Sequence, residues 1–306
     1  MPPNLLAQRH VSDPSSLGID LTRLPNNVIP KRYELKIDAY PDKLTYTGLV
    51  NIRLYFYGDG ITTVWLHSNG LKIKEASIRF SSFTMPVRAV EIIQVPSKQA
   101  IGIRFANPIA NDERAWLSVK FAGKIGNGME GFFSAPYVNK NGETKLGAAT
   151  MFAACEARSC FPCFDEPSFK AVFALEVTVA PHLTVISNMP VMDSRMVTSG
   201  TGKFKTERRT DYFEWTKVMS TYLVCFCIGE YEYLETRTSD DKIKVRVYTP
   251  WGQREQGRFA LNVGKRSLEY FNSYFGKQYP LPKLDLVAVS RLSVGAMENW
   301  GVITCR

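Results

Sequence analysis

The 306-residue chain has 45% hydrophobic residues, 12% aromatic residues and a formal net charge of +9, enough apolar material for one large domain or about two ordinary ones. Its longest notable apolar run, Tyr222–Gly229, is far shorter than the roughly 20 residues that a membrane span needs. Basic and acidic residues are interspersed, so the charge predicts solvated faces of mixed sign and favours neither nucleic acid nor a membrane as a partner.

The first two thirds of the chain are predicted to be β-rich. Residues 1–20 lack the charged start and apolar stretch of a secretory signal, and we expect a disordered lead-in there. Turn-rich segments such as Tyr40–Lys43 separate stretches in which apolar and polar residues alternate, which is the pattern of half-buried antiparallel strands. These stretches are Tyr33–Ile37, Val50–Leu54, Ile101–Phe105, Leu117–Phe121 and Phe173–Val179. The sequence therefore predicts a sandwich-like β domain over residues 21–228.

The hydrophobic period changes in the last quarter of the chain. Between residues 253 and 275, apolar side chains recur at steps of three to four residues, which predicts a helix that ends at Gly276. These side chains are Ala260, Val263, Leu268, Phe271 and Tyr274. After the extended Pro280–Pro282 connection, Leu284–Val289 is predicted to be a strand. Residues 229–306 should therefore begin a region of α/β type, with a domain boundary near Ile228.

The stretch VGAMENWG, Val294–Gly301, follows that strand. Gly295 and Ala296 leave the backbone uncovered, so an extended peptide could add to it as a further strand. Glu298 can offer a carboxylate to the α-ammonium group of such a peptide, and Asn299 can donate and accept hydrogen bonds nearby. The alternative is a simple surface turn between a strand and a loop.

Gly295-Ala296-Met297-Glu298-Asn299 resembles the GAMEN motif of the gluzincin-type zinc aminopeptidases, the group that contains aminopeptidase N and puromycin-sensitive aminopeptidase. The block Ala157–Pro167 is similar to the AR-x-x-FPC-x-DEP signature of the same family, and Ser187–Pro190 also fits. A third set of segments, from Ser220 to Pro282, most resembles the puromycin-sensitive, cytosolic branch. The resemblance extends from about Leu24 to Arg306, the N-terminal part of such an enzyme.

The resemblance implies a fold and a substrate. A saddle-like, antiparallel β-sandwich domain would be followed, over residues 229–306, by the incomplete start of a thermolysin-like catalytic domain. Glu298 would bind the N-terminal amine of a peptide, and the backbone of Gly295, Ala296 and Met297 would hold its first peptide groups. The implied reaction is the release of single amino acids from peptide N-termini by a zinc-activated water. The peptide N-terminus is the implied partner.

The zinc ligands of the family lie on an H-E-x-x-H helix, with a further glutamate downstream. The three histidines of this chain, His10, His67 and His182, are never within four residues of one another, so no such pair exists here. Zinc is thus expected for a full-length family member, while these residues supply neither zinc ligands nor a catalytic residue. The 306-residue chain is accordingly not expected to catalyse hydrolysis.

A second departure lies ahead of the Ala157–Pro167 block. Where the family commonly has Gln-Phe-Glu, this sequence has Met151-Phe152-Ala153, so the glutamate that shares the substrate amine with the GAMEN glutamate is absent. Losing that charge-assisted partner should cost about 1.5–3 kcal/mol of binding. The alternative function is therefore a noncatalytic peptide-binding or regulatory protein, with a protein partner covering the incomplete catalytic half-domain.

The six cysteines suggest a further alternative function and help to predict the cellular compartment. Cys160-Phe-Pro-Cys163 has the spacing of a dithiol switch or of half a zinc site, but the chain has no second pair to complete four ligands. Structural packing is the favoured interpretation. Most of the cysteines lie in apolar contexts, no Asn-x-Ser/Thr acceptor occurs, and the chain is predicted to be cytoplasmic. Asp165 and Glu166 are predicted to pin a turn, with Arg158 as a partner.

Overall fold

The computed structural model describes residues 6–12, 14–80, 85–111, 113–199 and 206–306. The strands of its first half are β1 Ala7–His10, β2 Val28–Tyr40, β3 Thr45–Phe56, β4 Ile61–His67, β5 Lys72–Phe80, β6 Val87–Arg88, β7 Glu91–Val95, β8 Ala100–Ile109, β9 Arg114–Lys124, β10 Gly131–Val138 and β11 Thr144–Met151. Those of its second half are β12 Lys170–Val179, β13 Thr184–Ser187, β14 Val191–Ser199, β15 Thr206–Phe213, β16 Met219–Ser220, β17 Phe226–Gly229, β18 Tyr231–Arg237, β19 Lys244–Pro250, β20 Lys283–Ala288, β21 Ala296–Met297 and β22 Val302–Cys305. Helix α1 is Arg258–Tyr274. Short 3₁₀ turns are Pro14–Leu17, Pro41–Lys43, Pro96–Lys98, Ala157–Ser159, Thr221–Leu223 and Arg254–Gly257.

The described strands form four sheets. The long sheet has the order β14-β15-β12-β2-β3-β9-β5-β6, with β16 beside β12. Two smaller sheets have the orders β1-β7-β8-β4 and β10-β11-β17-β13. The terminal sheet has the order β18-β19-β20-β22-β21. Most neighbours are antiparallel, and the parallel pairs are β1–β7, β2–β12, β19–β20 and β20–β22. A mainly β fold is therefore confirmed.

Alternation along the strands builds the core of the first region. In β2 every second residue from Tyr33 to Ala39 is buried, and the same period runs through β3, β9 and β12. The opposite residues of these strands face water, because successive side chains of a strand point to opposite faces. Aromatic rings fill the interior, and the rings of Tyr33 and Phe173 stack at 4.6 Å between centroids. All five strands predicted from this pattern are confirmed.

The structure differs from the predicted disordered lead-in over residues 1–20. Residues 1–5 and 13 lie outside the described residues, but Ala7–His10 pairs in parallel with β7. Val11 is buried in the main core, and Leu17 packs against it. These apolar contacts order the segment. The sequence did not predict them because its apolar residues show no helical or strand periodicity.

The terminal sheet has one apolar face, which α1 covers. Six buried residues form a separate small core between helix and sheet: Ile243, Val245, Val247, Leu261, Leu268 and Leu284. The predicted helix and the strand after it are confirmed, and Gly276 follows the helix with a φ of 60°. The predicted apolar stripe is only partly buried, however. Leu268 is buried, whereas Val263, Phe271 and Tyr274 are exposed among the described residues.

The terminal sheet also contacts the first region directly. Val287 of β20, Met297 of β21 and Val302 of β22 belong to the same hydrophobic core as the β-rich region. Strand β17, which belongs to the second small sheet, ends at Gly229, and β18, the first strand of the terminal sheet, begins at Tyr231. The domain boundary near Ile228 remains a prediction. Within the described ranges, no helix combines the length and apolarity that crossing a membrane requires.

Candidate functional site

The five residues predicted to bind a peptide lie at the outer edge of the terminal sheet. Strand β21 is the last strand in that sheet, and its pairing partner among the described residues is β22, with Ala296 opposite Cys305. The carbonyl oxygen of Gly295 accepts a hydrogen bond of 3.0 Å from the backbone N–H of Arg306. Since paired and unpaired residues alternate in an antiparallel ladder, the N–H and C=O of Ala296 face away from β22, toward the open edge.

Exposure separates the five residues into two groups. Gly295, Ala296 and Glu298 are exposed, and a Cβ at Gly295 would meet no atom within 4 Å. Met297 and Asn299 are buried, and the amide nitrogen of Asn299 lies 3.5 Å from the carbonyl oxygen of Met297. The structure therefore leaves open backbone and one carboxylate at the surface. Asn299 holds the turn from inside, and its predicted contact with a peptide stays a prediction.

The turn after β21 is anchored by Asn188 of the β-rich region. The Asn188 side-chain nitrogen donates to the carbonyl oxygens of Trp300 and Leu223, both at 2.8 Å. Its side-chain oxygen accepts from the N–H of Cys225 at 2.9 Å. Gly301 has a φ of 77°, and a Cβ there would lie 2.1 Å from the Asn188 carbonyl oxygen. A residue other than glycine would therefore push the turn away from the first region.

Lys283 provides the second anchor. Its ammonium group donates to the carbonyl oxygens of Gly301 and Ser187 and lies 2.7 Å from the Asp285 carboxylate. Its side chain is 3% exposed. Burial lowers the pKa of Lys283, while the negative charge of Asp285 acts in the opposite direction. With three partners for three N–H donors, the buried ammonium is fully satisfied.

Sequence reasoning did not single out these two anchoring side chains. Asn188 appeared only as one member of a family block, and Lys283 was not distinguished from its strand. A signal existed for Lys283, since it is a lysine at the start of the apolar run Leu284–Val289. A buried charge at such a place requires partners, and their identity follows only from the fold.

The segment that lacks the second family glutamate packs against the same core as β21. Met151 ends β11 and is buried, and Phe152 is fully buried. Ala153 is partly buried and packs against the core that also contains Met297. An alanine methyl group offers no acceptor for an ammonium group. In this structure Glu298 is thus the carboxylate that the predicted amine anchor retains.

The Ala157–Pro167 block is a structural junction. The Arg158 guanidinium donates to the Asp165 carboxylate at 3.0 Å and to the Asp165 carbonyl oxygen at 3.1 Å. Glu166 faces elsewhere and accepts from the backbone N–H of Leu24 at 2.7 Å. The prediction that Arg158 pins a turn is confirmed for Asp165, whereas Glu166 holds the segment at Leu24 instead. They show no arrangement for acid–base work.

Cys160 and Cys163 are both fully buried in the main core. Burial raises the pKa of each thiol, which disfavours the reactive thiolate form. The carbonyl oxygen of Cys160 accepts a hydrogen bond from the Tyr46 hydroxyl at 2.8 Å. This environment favours the packing interpretation over a dithiol switch.

The histidines do not form a zinc site. His10 lies in β1, His67 ends β4, and His182 lies in the turn before β13. The ring of His67 is buried, and its Nδ1 accepts the backbone N–H of Asp165 at 3.2 Å. In the part of the chain that the structure describes, no group of three His, Cys, Asp or Glu side chains is placed to hold a metal ion. The described residues therefore do not fit the zinc that the resemblance implies.

The chain thus combines a β-rich region with a mixed terminal sheet that one helix covers and that ends in the edge strand β21. The model of the peptidase M1 N-terminal domain matches residues 29–223, and that of the peptidase family M1 domain matches residues 259–306. The chain belongs to peptidase family M1.

Curated relatives agree over nearly the whole chain. It is 36% identical to "Aminopeptidase M1" of Arabidopsis thaliana over 93% of its residues and 31% of that protein. It is 37% identical to "Aminopeptidase 2, mitochondrial" of Saccharomyces cerevisiae over 92% of its residues and 28% of that protein. For "Endoplasmic reticulum aminopeptidase 1" of Homo sapiens the identity is 34%, over 96% of this chain and 30% of that protein. The chain thus spans about a third of the length of these relatives.

Proposed function

We propose that the edge formed by Gly295, Ala296 and Met297 binds the first residues of an extended peptide and that Glu298 binds its terminal amine. The observation that carries the proposal is the open edge of β21, on which the backbone of Ala296 faces outward next to an exposed carboxylate. A strand can add to such an edge through main-chain hydrogen bonds. The absence of large side chains at Gly295 and Ala296 lets it approach closely.

The buried side of the same segment supports this role. Met297 is fixed in the core, Asn188 holds the carbonyl oxygen of Trp300, and Lys283 holds that of Gly301. The edge is therefore preorganised, so a peptide would lose little affinity to ordering of the protein. Glu298, beside the edge, would select a chain end because a charge-assisted hydrogen bond to an ammonium group is stronger than a neutral one.

The reaction proposed for the whole protein is that named for its relatives, the removal of N-terminal amino acids. In a protein that carries the family's zinc ligands as well, a zinc-activated water would hydrolyse the bond. Peptide N-termini are the proposed partners, and zinc is the proposed cofactor of the whole protein. We propose the cytosol as the compartment, which the six free cysteines of the structure support.

The alternative function is peptide binding without catalysis. The specific observation that favours it is Ala153, which places a methyl group where the family commonly has a glutamate. The described residues would then bind peptide N-termini weakly and act through a partner protein. The two alternatives share the β21 edge and differ in whether a zinc-dependent hydrolysis accompanies binding.

Peptide binding is tested by calorimetric titration of a short peptide with a free N-terminus and of its N-acetylated twin. We expect the free peptide to bind about tenfold more tightly than the acetylated one, a difference of ~1.4 kcal/mol. The Glu298→Gln variant should lose that preference, while Glu75→Gln, which changes an exposed strand glutamate elsewhere, should keep it. Equal binding of both peptides to the unaltered chain would refute the proposal.

A further inference from the structure

The second face of the terminal sheet carries a row of three positive charges. Arg237 of β18 lies opposite Lys244 of β19, and Lys244 lies opposite Lys283 of β20. Neighbouring strands are about 4.8 Å apart, so these side chains start close together on one face. Like charges directly opposite one another destabilise a sheet. We refer to these three residues as the cationic row.

The next row along the same face is built differently. Glu235, Arg246 and Asp285 lie opposite one another across the same three strands. Their charges alternate, and the Arg246 guanidinium forms two hydrogen bonds to the Asp285 carboxylate, at 2.7 and 2.9 Å. The opposite charges of this row therefore offset one another within the sheet. The cationic row has no alternation of this kind, so its charge is balanced from outside the row.

A cavity of about 360 Å³ opens over the cationic row. Its opposite wall comes from the β-rich region, with Val185–Ser187, Met189–Val191 and Phe213. The charged side chains that line it are five cations and one carboxylate: Arg237, Lys242, Lys244, Arg246, Lys283 and Asp285. The cavity is therefore strongly positive and lies between the two regions of the chain.

The cations of the cavity differ in how fully their donors are used. Lys283 has three partners, and Arg246 is paired with Asp285 on two nitrogens. Lys244 lies 3.6 Å from Glu235, and Lys242 lies 3.4 Å from Asp240. These separations exceed the usual 2.7–2.9 Å of a charge-assisted hydrogen bond.

Arg237 resembles the two outer lysines in this respect. Its Nε lies 3.6 Å from the Asp241 carboxylate, and one terminal nitrogen donates to the Asp241 carbonyl oxygen at 2.9 Å. A guanidinium has five N–H donors, so donors remain beyond these contacts. The acidic partners Glu235, Asp240 and Asp241 do not line the cavity.

We propose that this cavity binds a free, multivalent oxyanion of the phosphate class, held by Arg237, Lys242 and Lys244 above the buried Lys283. Arginine matches the geometry of a phosphate oxygen pair, and lysines supply compact positive charges. The anion would offset the repulsion within the cationic row. Because the cavity wall includes residues 185–187 and 189–191, a bound anion would also strengthen the contact between the terminal sheet and the β-rich region. This site is distinct from the β21 edge, and the proposal does not depend on the proposed function.

The experiment is a calorimetric titration of the full chain with inorganic phosphate, at constant ionic strength maintained with chloride. We expect saturable binding of one phosphate per chain. Arg237→Gln and Lys244→Gln should each weaken it about tenfold, since each removes one charge-assisted partner. The matched control is Lys145→Gln, which removes another strand lysine paired with a glutamate and should bind phosphate as the unaltered chain does.

Two outcomes would overturn the proposal. One is the same phosphate affinity in Lys244→Gln and Lys145→Gln. The other is a rise of melting temperature in phosphate that chloride of equal ionic strength reproduces, which would indicate general screening. A readout independent of binding is the melting temperature in phosphate-free buffer. There Lys244→Gln should melt no lower than the unaltered chain, because it relieves repulsion in the row, and a clearly lower value would contradict the proposal.

Discussion

The β-rich region and the terminal sheet differ in what covers their apolar residues. In the first region, strands from three sheets enclose one continuous core, whose largest side chains are fully buried. In the second, six buried residues lie under α1, whereas Phe259 and Tyr274 of that helix and Phe275 directly after it are exposed. Helix stability in proteins comes mostly from packing of an amphipathic face. Helix α1 packs on the terminal sheet through this small core, so that contact supplies most of its stability.

The two regions also use their buried charges differently. Arg158 and Asp165 close a turn within the first region, whereas Lys283 and its carbonyl partners connect the second region to the first. The first region therefore carries its own stability, while the geometry of the β21 edge depends on the junction between the two regions. A substitution at the Arg158 turn should therefore lower the stability of the whole chain, whereas one at Lys283 should loosen mainly the terminal sheet.

The largest effect is expected for Arg158→Ala. It leaves the Asp165 carboxylate buried without its cation, and breaking a buried pair from one side costs about 3–5 kcal/mol. Urea unfolding of the whole chain should show this loss. Arg195→Ala removes an exposed pair with Asp193 and should cost at most about 1 kcal/mol. Similar losses in both variants would show that burial does not distinguish these pairs.

Lys283→Met tests the junction. Methionine keeps the apolar stem but leaves the carbonyl oxygens of Ser187 and Gly301 without this donor, at a cost of about 2–3 kcal/mol. Hydrogen exchange should accelerate across residues 283–305 and remain unchanged in β2 and β3. The control is Lys265→Met, on the surface of α1. Faster exchange throughout both regions would remove the distinction between them.

His67 gives the first region a pH dependence. Burial, followed by the positive charge of Arg158, lowers its pKa from 6.5 to about 3. The unfolded chain takes up the proton near pH 6.5, so the stabilisation by neutral His67 is complete above that pH and falls as the pH drops toward 3. At pH 5 the loss is about 2 kcal/mol.

Urea unfolding at pH 7 and pH 5 measures this loss. His67→Asn, which keeps an acceptor but cannot titrate, should lose about 2 kcal/mol less than the unaltered chain between the two pH values. His182→Asn changes an exposed histidine and should follow the unaltered chain. An unchanged pH dependence in His67→Asn would mean that other groups cause the loss.

The smallest effect concerns the peptide edge. Ala153→Glu restores the carboxylate that the family commonly has, and we expect about tenfold tighter binding of a free-amine peptide, ~1.4 kcal/mol. Ala153→Gln adds the same bulk without the charge. If both variants bind the peptide equally, the carboxylate at this position does not contact the amine.

Local patterns predicted those parts of the fold whose environment repeats along the chain. The alternation in β2, β3, β8, β9 and β12 was sufficient to identify them. The helical period found α1 but not the face that the sheet covers. Gly264 is buried because Leu286 of the sheet approaches it, with a contact of 3.1 Å for an added Cβ, and no period in the helix contains that information.

The candidate site likewise contains residues that the local sequence predicts and residues that only the fold reveals. Gly295, Ala296 and Glu298 were recognisable as a candidate peptide edge from eight consecutive residues. The anchors were not, because Asn188 contacts a carbonyl group 112 residues away and Lys283 contacts one 96 residues away. Such contacts depend on how distant strands meet. The lead-in was mispredicted for the same reason, since β1 is defined by its pairing with β7.

The close fit of Gly301 against Asn188 has a consequence for the order of events during synthesis. The ribosome makes Asn188 well before Gly301, and regions near the N-terminus generally fold first. The carbonyl and amide groups around Asn188 are then already in place when residues 295–301 emerge. We expect the earlier region to guide the folding of the later turn, so that β21 forms as an edge strand only after the segment around Asn188 has folded.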